Sequence, residues 1–254
     1  MKQNAILGLL FLTLISVATI CDAQDLVLYL SFDELEGKVV KDMSEFGNDA
    51  TFNKGNPKLI DGMFGKAMAF DGKTAGEIAD HPSLDIVDGI TIEFWAIVEG
   101  GEAIQSGVEK GSAWVSGLYN LAALYNGGTI LQFFDLPEAC NDDNIGPTIQ
   151  DGKWHFLAGT WDGDDILLYI DGELEAEMPC KGELKPNDES LYIGARGGSQ
   201  RFLTGALDEI KVYNYALTKE ELLKDMAEPI TLHVDAQDKL ATVWARLKTD
   251  SSLQ

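Results

Sequence analysis

The chain has 254 residues, with 42 acidic against 19 basic side chains and a formal net charge of −23. A balance this acidic, with no basic cluster to offset it, repels nucleic acid and anionic lipid and excludes both as partners. The surplus carboxylates favour divalent cations, and they equally serve to keep an exported protein soluble.

In chain order, the first 23 residues read as a targeting segment. Lys2 supplies the positive start, Ala5 to Ile20 the apolar run, and Cys21-Asp22-Ala23 the small residues a signal peptidase reads. Lipoprotein processing at Cys21 is the alternative, disfavoured by the bulky Ile20 before it. No later run reaches the ~20 apolar residues of a transmembrane helix. Export then makes disulfides permissible, and after cleavage at Ala23 only Cys140 and Cys180 remain. A bridge between them closes about 40 residues and is expected to stabilise the fold by roughly 4 kcal/mol.

Expected strands are 26–32, 66–70, 75–79, 90–98, 103–109, 113–121, 128–134, 154–160, 165–170, 173–177, 190–194 and 205–213. Gly, Asn, Asp and Pro punctuate them. Many short strands at this spacing predict an all-β, two-sheet antiparallel sandwich rather than parallel β-α-β units. The clearest signal is the hairpin block Trp154 to Gly172, where two apolar runs flank Asp162-Gly163 and Asp171-Gly172 closes the second. Ile166, Leu168 and Ile170 share one face and Leu167 and Tyr169 the other, so both faces should be covered. Phe94, Trp95, Trp154, Trp161 and Tyr213 are expected in packing rather than in ligand contact. Thr218-Lys219-Glu220-Glu221 is a capping box that opens one short C-terminal helix, closed by Pro229. One domain over residues 24–228 is therefore expected, followed by a tail, 229–254, of unassigned role.

The hairpin block, W-H-F-L-A-G-T-W-D-G with L-L-Y-I-D-G, resembles the laminin-G-like, pentraxin-like branch of the concanavalin A-like lectin/glucanase superfamily. Four further segments match in the family's order. They are Leu28 to Glu34 with Asp42 to Asn48, Gly65 to Gly72, Ile90 to Trp95, and Gly205 to Tyr213 running into Asn214 to Leu217. The resemblance covers roughly residues 25–228 and implies a jelly roll.

It also implies a structural calcium ion, which wants six to eight oxygens. The matching positions are Asp33, Gly47, Asn48, Asp71 and Asp208, with Glu45 departing from the family's usual glycine. His81, His155 and His233 read as isolated from metal partners. Related glucanases carry their acids as E-x-D-x-x-E or E-x-D-x-E on one strand, an array absent here. Its nearest imitation, Glu173, Glu175 and Glu177 on one strand face, reads as a solvated outer strand. Enzyme activity is therefore not expected, and a divergent glycoside hydrolase stands as the lesser alternative.

A glycan site needs an aromatic platform flanked by groups that grip hydroxyls. The central candidates are Trp114, Tyr119, Tyr125, Asn144 and Arg196, with Asn120, Gln132 and Phe134 beside them. Gly194 to Gly198 reads as a turn. The expected function is a secreted, non-catalytic module that binds a glycan or an extracellular protein. A structural or adhesive module without a small ligand is the alternative.

Overall fold

A computed structural model describes residues 25–137, 140 and 145–230; the segment expected to be a targeting signal and most of the tail lie outside them. Its strands are β1 (Leu26–Leu30), β2 (Val39–Val40), β3 (Ala50–Lys54), β4 (Lys58–Asp61), β5 (Lys66–Asp71) and β6 (Ala75–Ile78), then β7 (Ile90–Val98) and β8 (Ile104–Lys110). After these come β9 (Tyr119–Tyr125), β10 (Gly128–Phe133), β11 (His155–Trp161), β12 (Asp165–Ile170), β13 (Glu173–Pro179), β14 (Leu191–Ile193) and β15 (Thr204–Tyr213). One sheet runs β13-β12-β11-β7-β15-β5-β4, with β1 paired to β15. The other runs β10-β9-β8-β14-β6-β3-β2, and every pairing is antiparallel.

The two sheets stack face to face, as the sequence predicts, because alternate residues of each strand must leave water. Ile166, Leu168 and Ile170 enter the main core with Phe94, Leu121, Leu131, Phe133 and Trp161. Leu167 and Tyr169 point the other way, into a second cluster with Trp95, Phe156, Tyr213 and Leu222. That second cluster exists because helix α1 (Lys219–Ala227) lies on the outer face of the eight-stranded sheet. Its start is the expected capping box: Thr218 Oγ1 accepts from the Glu221 amide, and Glu221 accepts from the Thr218 amide at 2.8 Å. Cys140 and Cys180 form the expected disulfide, with Cα atoms 5.6 Å apart.

The structure departs from the expected elements in three places. β2, β3 and β4 are absent from the expectation because they are short, carry Lys54, Lys58 and Asp61, and sit at or near sheet edges. The strand expected over 113–121 begins at Tyr119 instead and turns into β10 through Asn126 (φ 50°) and Gly127 (φ 96°). Two consecutive positive-φ residues of this kind are a hairpin turn. Trp114 therefore lies in a loop. Finally, Glu173, Glu175 and Glu177 do not share a face, because a bulge interrupts β13. Glu173 pairs with Ile170 and Glu177 with Leu167, three residues apart on β12 and hence on opposite sides. The strand is exposed at its acids, as a solvated edge should be.

Candidate functional site

The outer face of the seven-stranded sheet carries a polar row where its opposite face is apolar. Tyr119, Leu121, Leu131, Phe133 and Val108 point into the core, so their neighbours on the strands point outward. Register aligns Gln132 with Asn120, Asn120 with Glu109, and Glu109 with Tyr192, across four adjacent strands. Glu109, Asn120 and Gln132 are nonetheless buried. Asn120 Nδ2 donates to Gln132 Oε1 at 3.3 Å, and Asn120 Oδ1 has no partner.

Two loops meet at the Glu109 end of this row. The first, after β8, is fastened at both ends: Ser112 Oγ donates to Glu189 at 2.8 Å, and Ser116 Oγ and the Gly117 amide bond Asp135 at 2.7 and 2.6 Å. Gly117 (φ 78°) has no room for a Cβ because the Lys185 carbonyl sits there. Between the fastenings Trp114 stands 41% exposed, edge-on to Phe134 at 5.6 Å. The second loop is the expected glycine turn. Arg196 N donates to Gln200 O at 2.8 Å while Gly197 and Gly198 both hold positive φ. A Cβ on Gly197 would stand 2.9 Å from Ser112 Cα, so the two loops press directly together.

Arg196 reaches down from that turn to Glu109. Its Nε donates to Glu109 Oε1, Ser106 Oγ donates to Oε2, and Arg201 Nη1 lies 4.0 Å from Oε1. Arg196 Cζ also sits 5.7 Å from the Trp114 ring centroid, a cation–π distance. Arg196 Nη2 and Arg201 Nη1 are buried without acceptors. Burial pushes the pKa of Arg201 down, Glu109 opposes this, and Arg196's like charge adds to it. Tyr125, half-exposed at the end of β9, lies within electrostatic range of Arg201. The structure thus brings Trp114, Arg196 and Tyr125 to one face.

Tyr119 does not join them. It is 1% exposed on the core side of β9, with its hydroxyl donating to the Leu84 carbonyl at 3.1 Å. Strand alternation puts Asn120, not Tyr119, on the outer face. Asn144 lies outside the described residues. Sequence reasoning missed Ser106, Glu109 and Arg201, which stand up to 95 positions apart along the chain and share no local motif.

The five positions expected to hold calcium are not brought together. Asp71 closes its own turn, accepting from the Lys73 and Thr74 amides at 3.1 and 2.9 Å. Asn48 is a buried pin, donating to Val27 O at 2.7 Å and Ser83 Oγ at 2.9 Å, and Gly47 precedes it in a turn. Asp33 and Asp208 do meet at one place, the turn between β4 and β5. The Lys66 amide donates to Asp33 Oδ1 and the Phe64 amide to Asp208 Oδ2, each at 3.0 Å. Gly62 and Gly65 are required there, since a Cβ on either would collide with these carboxylates. Asp208 was expected on a sheet surface, but it is buried and its Oδ1 has no partner. Burial pushes its pKa up to about 7, against the Phe64 amide, and the neighbouring Glu209 adds to the rise. Phe32 (φ 59°) and Glu209 (φ 53°) hold the left-handed region beside these two acids, a strained arrangement of the kind that clusters at functional sites. No group of three or more His, Cys, Asp or Glu side chains among the described residues is placed to hold a metal. The fit to a cation rests on two carboxylates, one with an unpartnered oxygen.

His155, which reads as isolated in the sequence, stands between Asp171 at 2.8 Å and Asp151 at 3.1 Å. Burial opposes its protonation, but the two carboxylates prevail and raise its pKa. Both ring nitrogens are thereby occupied.

A laminin G model described as the concanavalin A-like lectin/glucanases superfamily matches residues 70–223. Human pappalysin-1 is 24% identical over 192 residues, covering 65% of this chain and 12% of its own length. The chain thus spans about an eighth of that relative. Among solved structures, domain 4 of AbnA, a GH43 extracellular arabinanase of Geobacillus stearothermophilus determined with arabinotriose, superposes with a TM-score of 0.61. It is 18% identical, over 79% of this chain and 98% of that domain. The binding domain of Paraclostridial Mosquitocidal Protein 1 gives 0.59 at 17% identity, over 79% and 51%. The botulinum neurotoxin serotype G binding domain gives 0.58 at 14%, over 79% and 50%. At these identities the structures establish the fold.

Proposed function

The chain belongs to the laminin-G-like family of the concanavalin A-like lectin/glucanase superfamily, and we propose that it is an exported module that binds carbohydrate on the outer face of its seven-stranded sheet. The observation that carries this is Trp114, a large ring held in the open by a fastened loop, beside the buried Arg196 guanidinium. Such a ring offers a platform to the apolar face of a sugar, and Tyr125 and the guanidinium groups supply the grip on its hydroxyls. The arabinotriose complex of the AbnA domain supports the reading by analogy of fold. The Cys140–Cys180 disulfide supports export into an oxidising compartment. No helix among the described residues is long and apolar enough to cross a membrane.

The face binds and does not hydrolyse. Both oxygens of Glu109, the carboxylate at its centre, are engaged by Ser106 and Arg196, so it supplies neither a proton nor a nucleophile. Calcium, in this reading, sits with Asp33 and Asp208 and takes its remaining oxygens from backbone and water. It neutralises the buried Asp208 and has a structural role away from the glycan.

The test is a panel of immobilised oligosaccharides probed with the purified protein and with Trp114→Ala. Binding to a glycan that Trp114→Ala abolishes, at unchanged melting temperature, is the expected result. Binding that survives the substitution, or no binding across the panel, overturns the reading.

A further inference from the structure

Resting on that carbohydrate reading, we propose that the sugar this face selects carries a carboxylate, as a uronic acid does. The chain has three arginines, and two of them, Arg196 and Arg201, converge on this one patch of a protein whose net charge is −23. Among the described residues a single carboxylate, Glu109, faces both. One positive charge is therefore left over, and it is partly desolvated: the side chains of Arg196 and Arg201 are 9% and 18% exposed.

Elsewhere in the molecule a buried charge surplus is relieved by a proton. On the outer face of the other sheet, Lys211 meets Glu93 at 3.1 Å and Asp225 at 3.9 Å, with Glu209 in electrostatic range, so negative charge exceeds positive. Burial pushes the pKa of Glu93 up to about 8 against Lys211, with Asp225 adding to the rise, so a bound proton lessens the excess near neutrality. A guanidinium has no such exit, because it does not give up its proton in a protein. Its surplus is met from outside, by an anion.

The geometry selects which anion. Arg196 Nη2 and Arg201 Nη1 are both without acceptors, and guanidinium groups match the planar pair of oxygens of a carboxylate. Arg196 lies 5.7 Å from the Trp114 ring, so a sugar stacked on that ring has a carboxylate substituent within reach of the guanidinium.

The experiment uses three matched pairs of oligosaccharides, galacturonate against galactose, glucuronate against glucose, and mannuronate against mannose, titrated by calorimetry into the whole protein. At least one acidic member is expected to bind about tenfold tighter than its neutral partner, the worth of one charge-assisted hydrogen bond. That margin is expected to shrink with added salt. Arg201→Met is expected to abolish the margin, and Arg201→Lys, which keeps the charge and loses the fork, to fall between. Melting curves establish that each variant is folded. Neutral members binding as well as acidic ones overturn the inference and leave the carbohydrate reading standing. A margin retained in folded Arg201→Met also overturns it. No binding by any of the six overturns both.

Discussion

The outer faces of the two sheets carry opposite charge imbalances and resolve them by opposite means. Beneath α1, Glu93 and Asp225 outnumber Lys211, and the cluster is closed off by the helix and by Trp95, Phe156 and Tyr213. Across the sandwich, Arg196 and Arg201 outnumber Glu109, and the cluster is roofed by two loops with an exposed tryptophan between them. The first face is sealed and, through the raised pKa of Glu93, can lessen its surplus internally with a proton. The second is open at its rim and cannot. Burial of charge alone therefore does not mark a site; what marks one is a surplus that the protein's own chemistry has no way to discharge.

Two substitutions test that contrast with the largest effects. Glu109→Gln removes the one counter-charge that the described residues offer two largely desolvated guanidinium groups, and is expected to cost about 3–5 kcal/mol in urea unfolding. Glu93→Gln replaces a group that already holds a proton near neutrality, and is expected to cost about 1 kcal/mol or less. Equal losses in the two variants would break the distinction. Trp161→Ala, in the fully buried core against Phe133, should cost about 3–5 kcal/mol by leaving a cavity. Trp114→Ala should stay within about 0.5 kcal/mol of the parent protein.

The pH dependence is smaller. Glu93 and Asp208 are acids whose folded pKa values, about 8 and about 7, lie above those of the unfolded chain. The folded state then holds protons that the unfolded state releases, so stability is fullest below about pH 4 for these groups. It is expected to decline as pH rises through 4 to 8, and Glu93→Gln with Asp208→Asn should flatten that slope in melts recorded across the range. Calcium gives the smallest effect: at pH 8 it should raise the melting temperature, and a chelator should reverse the rise. Asp208→Asn should lose this response, and Asp71→Asn should retain it. The same response in both variants would remove calcium from the turn between β4 and β5.

Much of the fold was legible because its signals are local. The alternation of Ile166 to Ile170, the Asp-Gly turns and the Thr218 capping box each lie within a few residues, and each forms as read. β3 and β4 were not legible, since an edge strand with lysines on its exposed side has little apolar alternation to display. The site was legible only in its exposed or turn-borne members, Trp114 and Arg196. Tyr119 was misplaced because the strand expected over 113–121 begins later, and with β9 starting there its ring enters the core. Glu109 and Arg201 were out of reach because their relationship to Arg196 is made by strand order and loop packing. The expected calcium positions are drawn together only in part, because motif order does not fix spatial convergence: Asp33 and Asp208 meet, while Asp71 is consumed by its own turn.

The bulged strand β13 has a further consequence for how the molecule behaves in a crowd. It is the outermost strand of its sheet, and an unpaired ladder of this kind invites a foreign strand to add. Glu173, Glu175 and Glu177 set like charges along that border, the bulge twists it out of register, and Pro179 removes an amide where the ladder ends. Two copies meeting edge to edge would repel rather than zip, and the protein should resist fibril formation at high concentration.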